Sequence, residues 1–269
     1  MEDQSPDVAT DVEEGDIERA AERIRTADEV VVFTGAGVST ESGVPDFRSP
    51  GGIWDKYDPS DFTIQALRRD PVSYWERRLE RREESDIDWA EIKPNPAHEA
   101  IADLESVGKL SWVVTQNVDG LHQEAGNDPD NVLELHGTRK RAKCLDCGIR
   151  LPLSVLEEKL ESEPLPPECD TCGGLLKRAT VSFGEQLPAD VLQQARSAAR
   201  SCDCMLAVGS SLTVQPAASL PRTTLQYGGD LVIVNLEPTG LEGRDGTTFL
   251  KGKAGQVVPE VVERALGDL

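Results

Sequence analysis

Val30-Val31-Val32-Phe33-Thr34-Gly35-Ala36-Gly37-Val38-Ser39, continuing through Thr40-Glu41-Ser42-Gly43-Val44-Pro45-Asp46-Phe47-Arg48, is the stretch on which the architecture turns. Consecutive β-branched residues suit a parallel strand buried on both faces. Closely spaced glycines at its end can bring backbone N–H groups against a pyrophosphate, with a helix start behind them. A dinucleotide is therefore the first ligand to consider. The glycines alone do not decide the matter, because the usual fingerprint has a third glycine at fixed spacing, and here Val38, Ser39 and Thr40 follow Gly37. Pro45 also interrupts any long helix, since it lacks a donor and restricts Val44. On spacing, a nucleotide loop and a structural strand-to-helix turn stand level.

The pattern recurs outward from that stretch. Upstream, Asp16 can cap a helix whose apolar face carries Ile17, Ala20, Ala21 and Ile24. Downstream, Pro96 to Leu104 reads as a short helix before the strand Trp112-Val113-Val114-Thr115. Pro188 to Ala199 reads as a helix before Met205-Leu206-Ala207-Val208, which ends at Gly209. Val214 to Leu220 reads as a helix before Leu231-Val232-Ile233-Val234, which ends at Asn235. Strands alternating with helices predict an open α/β sheet, and such sheets bind ligands beyond the carboxyl ends of their strands. Gly35, Gln116, Gly209 and Asn235 would then converge on one crevice. Between residues 49 and 93 the chain is polar and aromatic, with Trp54, Tyr57, Phe62, Tyr74, Trp75 and an arginine-rich run from Arg77 to Arg82. Its aromatics predict the anchors of a small helical lobe.

The 269 residues suffice for one large core or for a medium core with a satellite. The formal charge of -21 repels nucleic acid and anionic membrane and attracts basic peptides. Nineteen arginines against nine lysines fit a surface adapted to salt, where screening removes self-repulsion. No apolar run of about eighteen residues is present and the N-terminus is acidic, so the sequence predicts a cytoplasmic chain. Residues 1 to 15 lack apolar periodicity and are expected to be disordered.

Four of the six cysteines form two C-x-x-C pairs, Cys144 with Cys147 and Cys169 with Cys172, each with glycine beside its second member. Four thiolates favour tetrahedral zinc, and with no open ligand position the site is structural. A thiol redox pair and an iron cluster are the competing readings. The segment between the pairs is proline-rich and cannot bury a core of its own, so metal ligation supplies its stability. Cys202 and Cys204 read as small buried residues alternating at the start of a strand.

The chain holds three histidines, and one of them is the natural general base near neutral pH. His98 sits on a predicted helix beside Pro96 without polar company, which favours a structural role. His122, in the polar turn Thr115-Gln116-Asn117-Val118-Asp119-Gly120-Leu121-His122, could bond the backbone or assist binding. His136, followed by Gly137 and leading into the cysteine module, is the better base candidate.

Taken in order, Gly35 to Arg48, Thr115-Gln116-Asn117-x-Asp119-x-Leu121-His122, His136-Gly137, the paired cysteines, Phe183-Gly184-Glu185 and Gly209-Ser210-Ser211 closely resemble the sirtuins, the family of NAD-dependent protein deacylases. The resemblance covers roughly residues 18 to 265. It implies a large Rossmann-like domain with an open parallel sheet (residues 16–48, 94–138 and 186–269). Inserted in it would be a smaller domain, made of a helical part with the cofactor loop (49–93) and a zinc-binding module with the substrate-binding segment (139–185). NAD+ would be consumed as a co-substrate and one zinc ion would be structural. Gly35 and Ala36 would meet the pyrophosphate, while Asp46, Phe47 and Arg48 would lie in a loop closing over NAD. Gln116 and Asn117 would contact ribose and Asp119 would hold the nicotinamide carboxamide. Gly209 and Ser210 would contact phosphate or ribose, and Asn235 the adenosine end. His136 and Asn117 would be catalytic. Val181, Phe183 and Gly184 would receive the substrate peptide as an added strand.

The implied reaction is attack of the acyl oxygen on the nicotinamide ribose as nicotinamide departs. His136 then relieves the ribose hydroxyls of a proton, and water completes release of lysine and O-acyl-ADP-ribose. Partners would be acylated, basic proteins, with neither nucleic acid nor membrane bound directly, and the chain would be a monomer or weak oligomer. Arg178-Ala179 stands where the family often has Arg-Pro, and Ser182 where an apolar residue is common. Members that prefer acidic acyl groups carry Tyr-x-x-Arg near the acyl channel. Tyr74-Trp75-Glu76-Arg77 has that spacing, with Trp75 and Arg78 as another match, but it also reads as a packed aromatic beside surface arginines. The segment Val44 to Pro50 looks more like the deacetylating branch, so deacetylation is the expectation. Desuccinylation, mono-ADP-ribosyl transfer and a non-catalytic NAD-sensing module are the alternatives.

Overall fold

The computed structural model describes residues 12–267 except Arg48, Pro50, Gly51, Asp86 and Glu163. Of the disorder expected over residues 1–15, the part up to residue 11 lies outside the described residues, as does the cofactor role of Arg48, while Glu14 and Gly15 are helical and correct that expectation at its end. The first helix, α1 (Glu14–Thr26), starts two residues before the expected cap, with Glu13 at the N-cap position. Glu14 and Asp16 fall in its first turn, where carboxylates oppose the positive end of the helix dipole and allow the earlier start. Its buried face is the expected Ile17, Ala20, Ala21 and Ile24.

The strand β1 (Val30–Thr34) is completely buried. Two short three-ten turns, Ala36–Val38 and Thr40–Ser42, follow it in place of a helix. The next elements are α2 (Ile53–Lys56), α3 (Ile64–Arg69), α4 (Pro71–Glu83), α5 (Pro96–Ser106), β2 (Leu110–Thr115), α6 (Leu121–Ala125) and β3 (Val132–Glu134). β4 (Gly137–Cys144), β5 (Arg150–Pro152), α7 (Leu153–Ser162) and β6 (Leu176–Thr180) make up the cysteine-bearing region. The chain ends with α8 (Ala189–Ser201), β7 (Cys204–Val208), α9 (Leu220–Gln226), β8 (Asp230–Asn235), β9 (Thr247–Lys251) and α10 (Ala254–Leu266). The helix expected over Val214 to Leu220 is displaced: Pro216 cannot donate, so only a three-ten turn at Ala217–Ser219 precedes α9, which accepts Pro221 in its first turn. Cys202 caps α8 and is buried, while Cys204 opens β7.

β3-β2-β1-β7-β8-β9 form one sheet whose pairings are all parallel. Side chains alternate across it. Val30 and Val32 join Leu206, Val208, Val232 and Val234 beneath α1, α5 and α10. Val31 and Phe33 join Met205, Ala207, Leu231 and Ile233 beneath α8 and α9. Both faces are thus covered by helices, which explains the uninterrupted valine runs. Strand order reverses between β1 and β7, so the loops leaving them diverge and open a crevice at their carboxyl ends.

A second, antiparallel sheet has the order β5-β4-β6. Its core is shared with the aromatic region: Ile64, Leu67, Tyr74 and Trp75 pack with Ala142, Leu156 and Leu176. Two stretches separated in sequence therefore build one small lobe, inserted in an α/β domain with an open parallel sheet. Among the described residues no helix is long and apolar enough to cross a membrane.

At the reversal point backbone touches backbone. The Gly35 amide donates to Val208 O at 3.0 Å, Gly37 to Gly209 O at 2.8 Å, and Gly209 to Val234 O at 2.9 Å. A Cβ on Gly209 would lie 2.2 Å from Val38 N, and Gly209 has a φ of +61°. Gly209→Ala is expected to destabilise the protein by about 2–4 kcal/mol. Gly228→Ala, also at positive φ but with nothing within 4 Å of its Cβ position, should cost only about 1–2 kcal/mol. Urea unfolding of the two variants checks the difference, and equal losses would show that the crossing is not tight.

Candidate active site

The crevice draws its polar groups from the ends of β1, β2, β7 and β8. From the end of β2, Gln116 Nε2 donates to Ser210 Oγ beyond β7 at 2.8 Å, and the Gln116 amide donates to Thr34 O at 3.0 Å. Gly35, Ala36, Gln116, Gly209 and Ser210 therefore lie together, as the sequence predicts. Asn235 ends the neighbouring β8, where its Nδ2 donates to Glu237 O at 2.7 Å. A Cβ on Gly35 would meet Gly209 O at 2.8 Å and Ser210 Cβ at 2.9 Å. The glycines keep this wall free of side chains, as close approach by a pyrophosphate demands.

His136 follows β3, and its Nδ1 lies 2.9 Å from Gln116 O. A carbonyl only accepts, so Nδ1 carries the proton and Nε2 keeps its lone pair. Burial lowers the pKa of this imidazole from 6.5, and the bond to Gln116 opposes that shift in part. The ring is neutral near pH 7 and equipped to accept a proton at Nε2. Gly137 then allows the chain to pass β6: its φ is +70°, and a Cβ would lie 2.1 Å from Ala179 O.

Next to Gln116 begins a polar cluster in which the sequence singled out Asn117 and Asp119 but not the part taken by His98. Asn117 Nδ2 donates to Ser39 Oγ at 3.0 Å, and Ser39 Oγ donates to Asp119 Oδ2 at 2.9 Å. The other Asp119 oxygen accepts the Leu121 amide at 3.0 Å. His98, expected to lack polar company, joins this cluster instead. Its Nδ1 accepts the Asn95 amide at 3.3 Å, so Nε2 carries the proton and faces Ser39 Oγ at 3.4 Å. The signal was Asn95-Pro96-x-His98, a helix start in which the third residue bonds back to the cap. His122 Nε2 meets Thr34 Oγ1 at 3.0 Å, while its buried Nδ1 has no partner among the described residues. Burial pushes His98 down to about 4, against the pull of Asp119, and His122 down to about 3, with His98 adding to the effect. Neither carries charge near neutrality, so Asn117 and Asp119 are held by neutral donors.

The opposite wall is aromatic. Phe183, 45% exposed, lies 5.6 Å from Trp54, which lies 5.3 Å from Phe47 and 5.4 Å from Phe62. The Phe183 amide donates to Phe62 O at 3.2 Å, and the Ile64 amide donates to Phe183 O at 3.0 Å. Val181 N donates to His136 O at 2.7 Å. Residues 181–184 thus touch both lobes. Asp46 accepts the Ser49 amide at 2.9 Å and shapes the loop behind Phe47. Tyr74 is buried and Arg77 Nε lies 3.6 Å from Asp61 Oδ1, which fits a packed aromatic beside a surface arginine.

In the small lobe the sulfurs of Cys144, Cys147, Cys169 and Cys172 lie within 4.8 Å of one another, with Cys144 Sγ 3.5 Å from Cys172 Sγ and Cys147 Sγ 3.9 Å from Cys169 Sγ. Tetrahedral zinc with bonds of about 2.3 Å spaces its sulfurs about 3.8 Å apart. The four thiols fit that ion and leave no ligand position for substrate.

The chain matches the Sir2 family over residues 35–216. It is 46% identical over 257 residues to the NAD-dependent protein deacetylase of Haloarcula marismortui, covering 94% of this chain and 96% of that protein. A solved structure described under the mechanism and regulation of Sir2 enzymes superposes with a TM-score of 0.82 at 42% identity, covering 96% of this chain and all of that one. A Sir2 complex with p53 peptide and NAD+ gives 0.78 at 35% identity, covering 94% and 98%. Matched by the family model over residues 35–216 and by such relatives over more than nine tenths of its length, the chain belongs to the Sir2 family.

Proposed function

We infer that the protein is an NAD-dependent protein lysine deacetylase, converting N6-acetyl-lysine, NAD+ and water to lysine, nicotinamide and 2'-O-acetyl-ADP-ribose. The observation that carries this reading is the His136 imidazole, neutral and with Nε2 unprotonated, beside the Gln116–Ser210 and Asn117–Ser39–Asp119 contacts. In this reading His136 is the base that accepts the proton of a ribose hydroxyl. Gln116 and Asn117 hold the ribose, Asp119 holds the carboxamide, and Gly35, Ala36, Gly209, Ser210 and Asn235 take the phosphates and adenosine. NAD supplies the electrophilic sugar carbon that activates an otherwise inert amide. The loop of Asp46 and Phe47 excludes competing water, a role supported by the contact of Phe47 with Trp54.

Val181, Phe183 and Gly184 receive the peptide as an added strand. Residues 49–93 and 139–185 act as one lobe closing on 16–48, 94–138 and 186–269, which their shared core supports. The charge of -21 favours basic stretches around the acyl-lysine, and its arginine-rich balance supports salt adaptation. Zinc holds the small lobe together and takes no part in the chemistry.

His136→Ala is expected to lower the rate of deacetylation by about 10²–10⁴-fold with zinc content unchanged; full activity would reject the base. For the wild type, kcat/KM should be flat at neutral pH and fall on the acid side with a midpoint below 6.5, because burial extends the neutral form of His136 to lower pH. A midpoint above 6.5 would contradict that assignment. Acetylated peptide should react faster than succinylated peptide in parallel assays, since Arg77 is paired with Asp61. Transfer of label from NAD to protein as the main product would favour ADP-ribosylation instead. Cys144→Ala should lose zinc and folded protein together, read by metal analysis and circular dichroism.

A further inference from the structure

Lys143 on β4 and Lys177 on β6 stand directly opposite one another in the antiparallel register. Like charges so placed repel, and Lys177 is nearly shut off from water, with 3% of its side chain exposed. One carboxylate resolves the conflict. Glu185 Oε1 takes the Lys143 ammonium in a short contact, and Oε2 takes Lys177 Nζ at 3.0 Å. The same Oε2 accepts the Ser182 amide at 2.9 Å, while the Glu185 amide donates to Ser182 O at 3.0 Å. Lys177 Nζ also donates to Thr180 O at 2.6 Å. A loop from Thr180 to Glu185 is thereby tied to two adjacent strands by charge-assisted bonds, the stronger kind.

The position of this knot gives it consequence. Cys144 follows Lys143 and pairs with Leu176 in the register next to Lys143–Lys177. On its other side the loop donates from Val181 to His136 O, and Phe183 bonds with Phe62 and Ile64. The knot therefore lies between the four-cysteine module and the strand that takes the peptide.

We propose that Glu185 is a positioning residue that couples the cysteine module to peptide binding: by bridging the facing Lys143 and Lys177 it fixes residues 181–184 in the register a substrate main chain must pair with. This rests on the deacetylase reading. It touches neither NAD nor the acyl group, so its effect falls on peptide affinity and not on the chemical step.

The test compares Glu185→Gln with wild type on an acetylated peptide and on N-acetyl-lysine amide, which has no flanking main chain. Peptide KM should rise about tenfold in the variant. KM for NAD, kcat and the kcat/KM for the minimal substrate should change less than twofold, and zinc content should be retained. Lys143→Met, which leaves Lys177 to hold Glu185, should shift peptide KM in the same direction by a smaller factor, and it keeps the test open if Glu185→Gln folds poorly. Equal loss on peptide and minimal substrate, or no loss on peptide, overturns the coupling while leaving the deacetylase reading intact. Wild type inactive on both substrates overturns both.

Discussion

The site depends on the place where three glycines let two loops cross. Gly35 and Gly37 leave β1, Gly209 leaves β7, and their main chains meet at hydrogen-bond distance where a single methyl group would collide. Divergence of these two loops opens the crevice, yet their close crossing sets its floor. Gln116 can reach Ser210 only because the end of β7 is drawn in to β1. Since the Gln116 carbonyl also orients His136, the glycine crossing bears on the direction of that imidazole through Ser210 and Gln116. The Gly35 amide is engaged by Val208, so the glycines' first duty is to clear a surface and only then to line it.

Directionality runs through the hydrogen bonds behind that surface. The Asn95 amide fixes the His98 tautomer, whose Nε2–H faces Ser39; Ser39 then gives its single proton to Asp119 and accepts from Asn117. Reversing any one donor would leave a buried polar atom without a partner, which costs about 1–3 kcal/mol. Such a chain holds Asn117 and Asp119 in one orientation without placing a positive charge beside them. A protonated His98 would place a positive charge near Asp119, and burial keeps the ring neutral.

Much of this was legible in the chain. The apolar runs Val30-Val31-Val32 and Leu231-Val232-Ile233-Val234 announced buried parallel strands because both sheet faces are covered, and the two C-x-x-C pairs announced their own convergence. Other features were hidden for definite reasons. α1 starts ahead of Asp16 because a helix dipole tolerates several early carboxylates, and no single one marks the cap. The turn at Pro216 displaces α9 because the proline sits between two helix-compatible stretches and only the backbone decides which is used. His98 looked structural because its partners, Asn95 aside, lie at Ser39 and Asp119, distant in sequence and meeting only where β1 and β2 end side by side. The three extra residues of β4, against the pairing of Gly137 with Thr180 and Ala142 with Arg178, left no trace in residue type.

The small lobe is more than a clamp on the cofactor loop. Its core joins helices from before β2 with strands from after β3, so it cannot move without carrying both the aromatic patch around Trp54 and the β4–β6 pair. The segment from Val181 to Phe183 is bonded on one side to the main chain of His136 and on the other to Phe62 and Ile64. Residues 181–183 therefore bridge the main chain that carries His136 and the aromatic patch of the small lobe. The four cysteines gather at the end of β4 and β6 remote from His136, where Cys144 pairs with Leu176. The small lobe is therefore held together at two ends, by the convergence of its cysteines and by the main-chain bonds that meet His136.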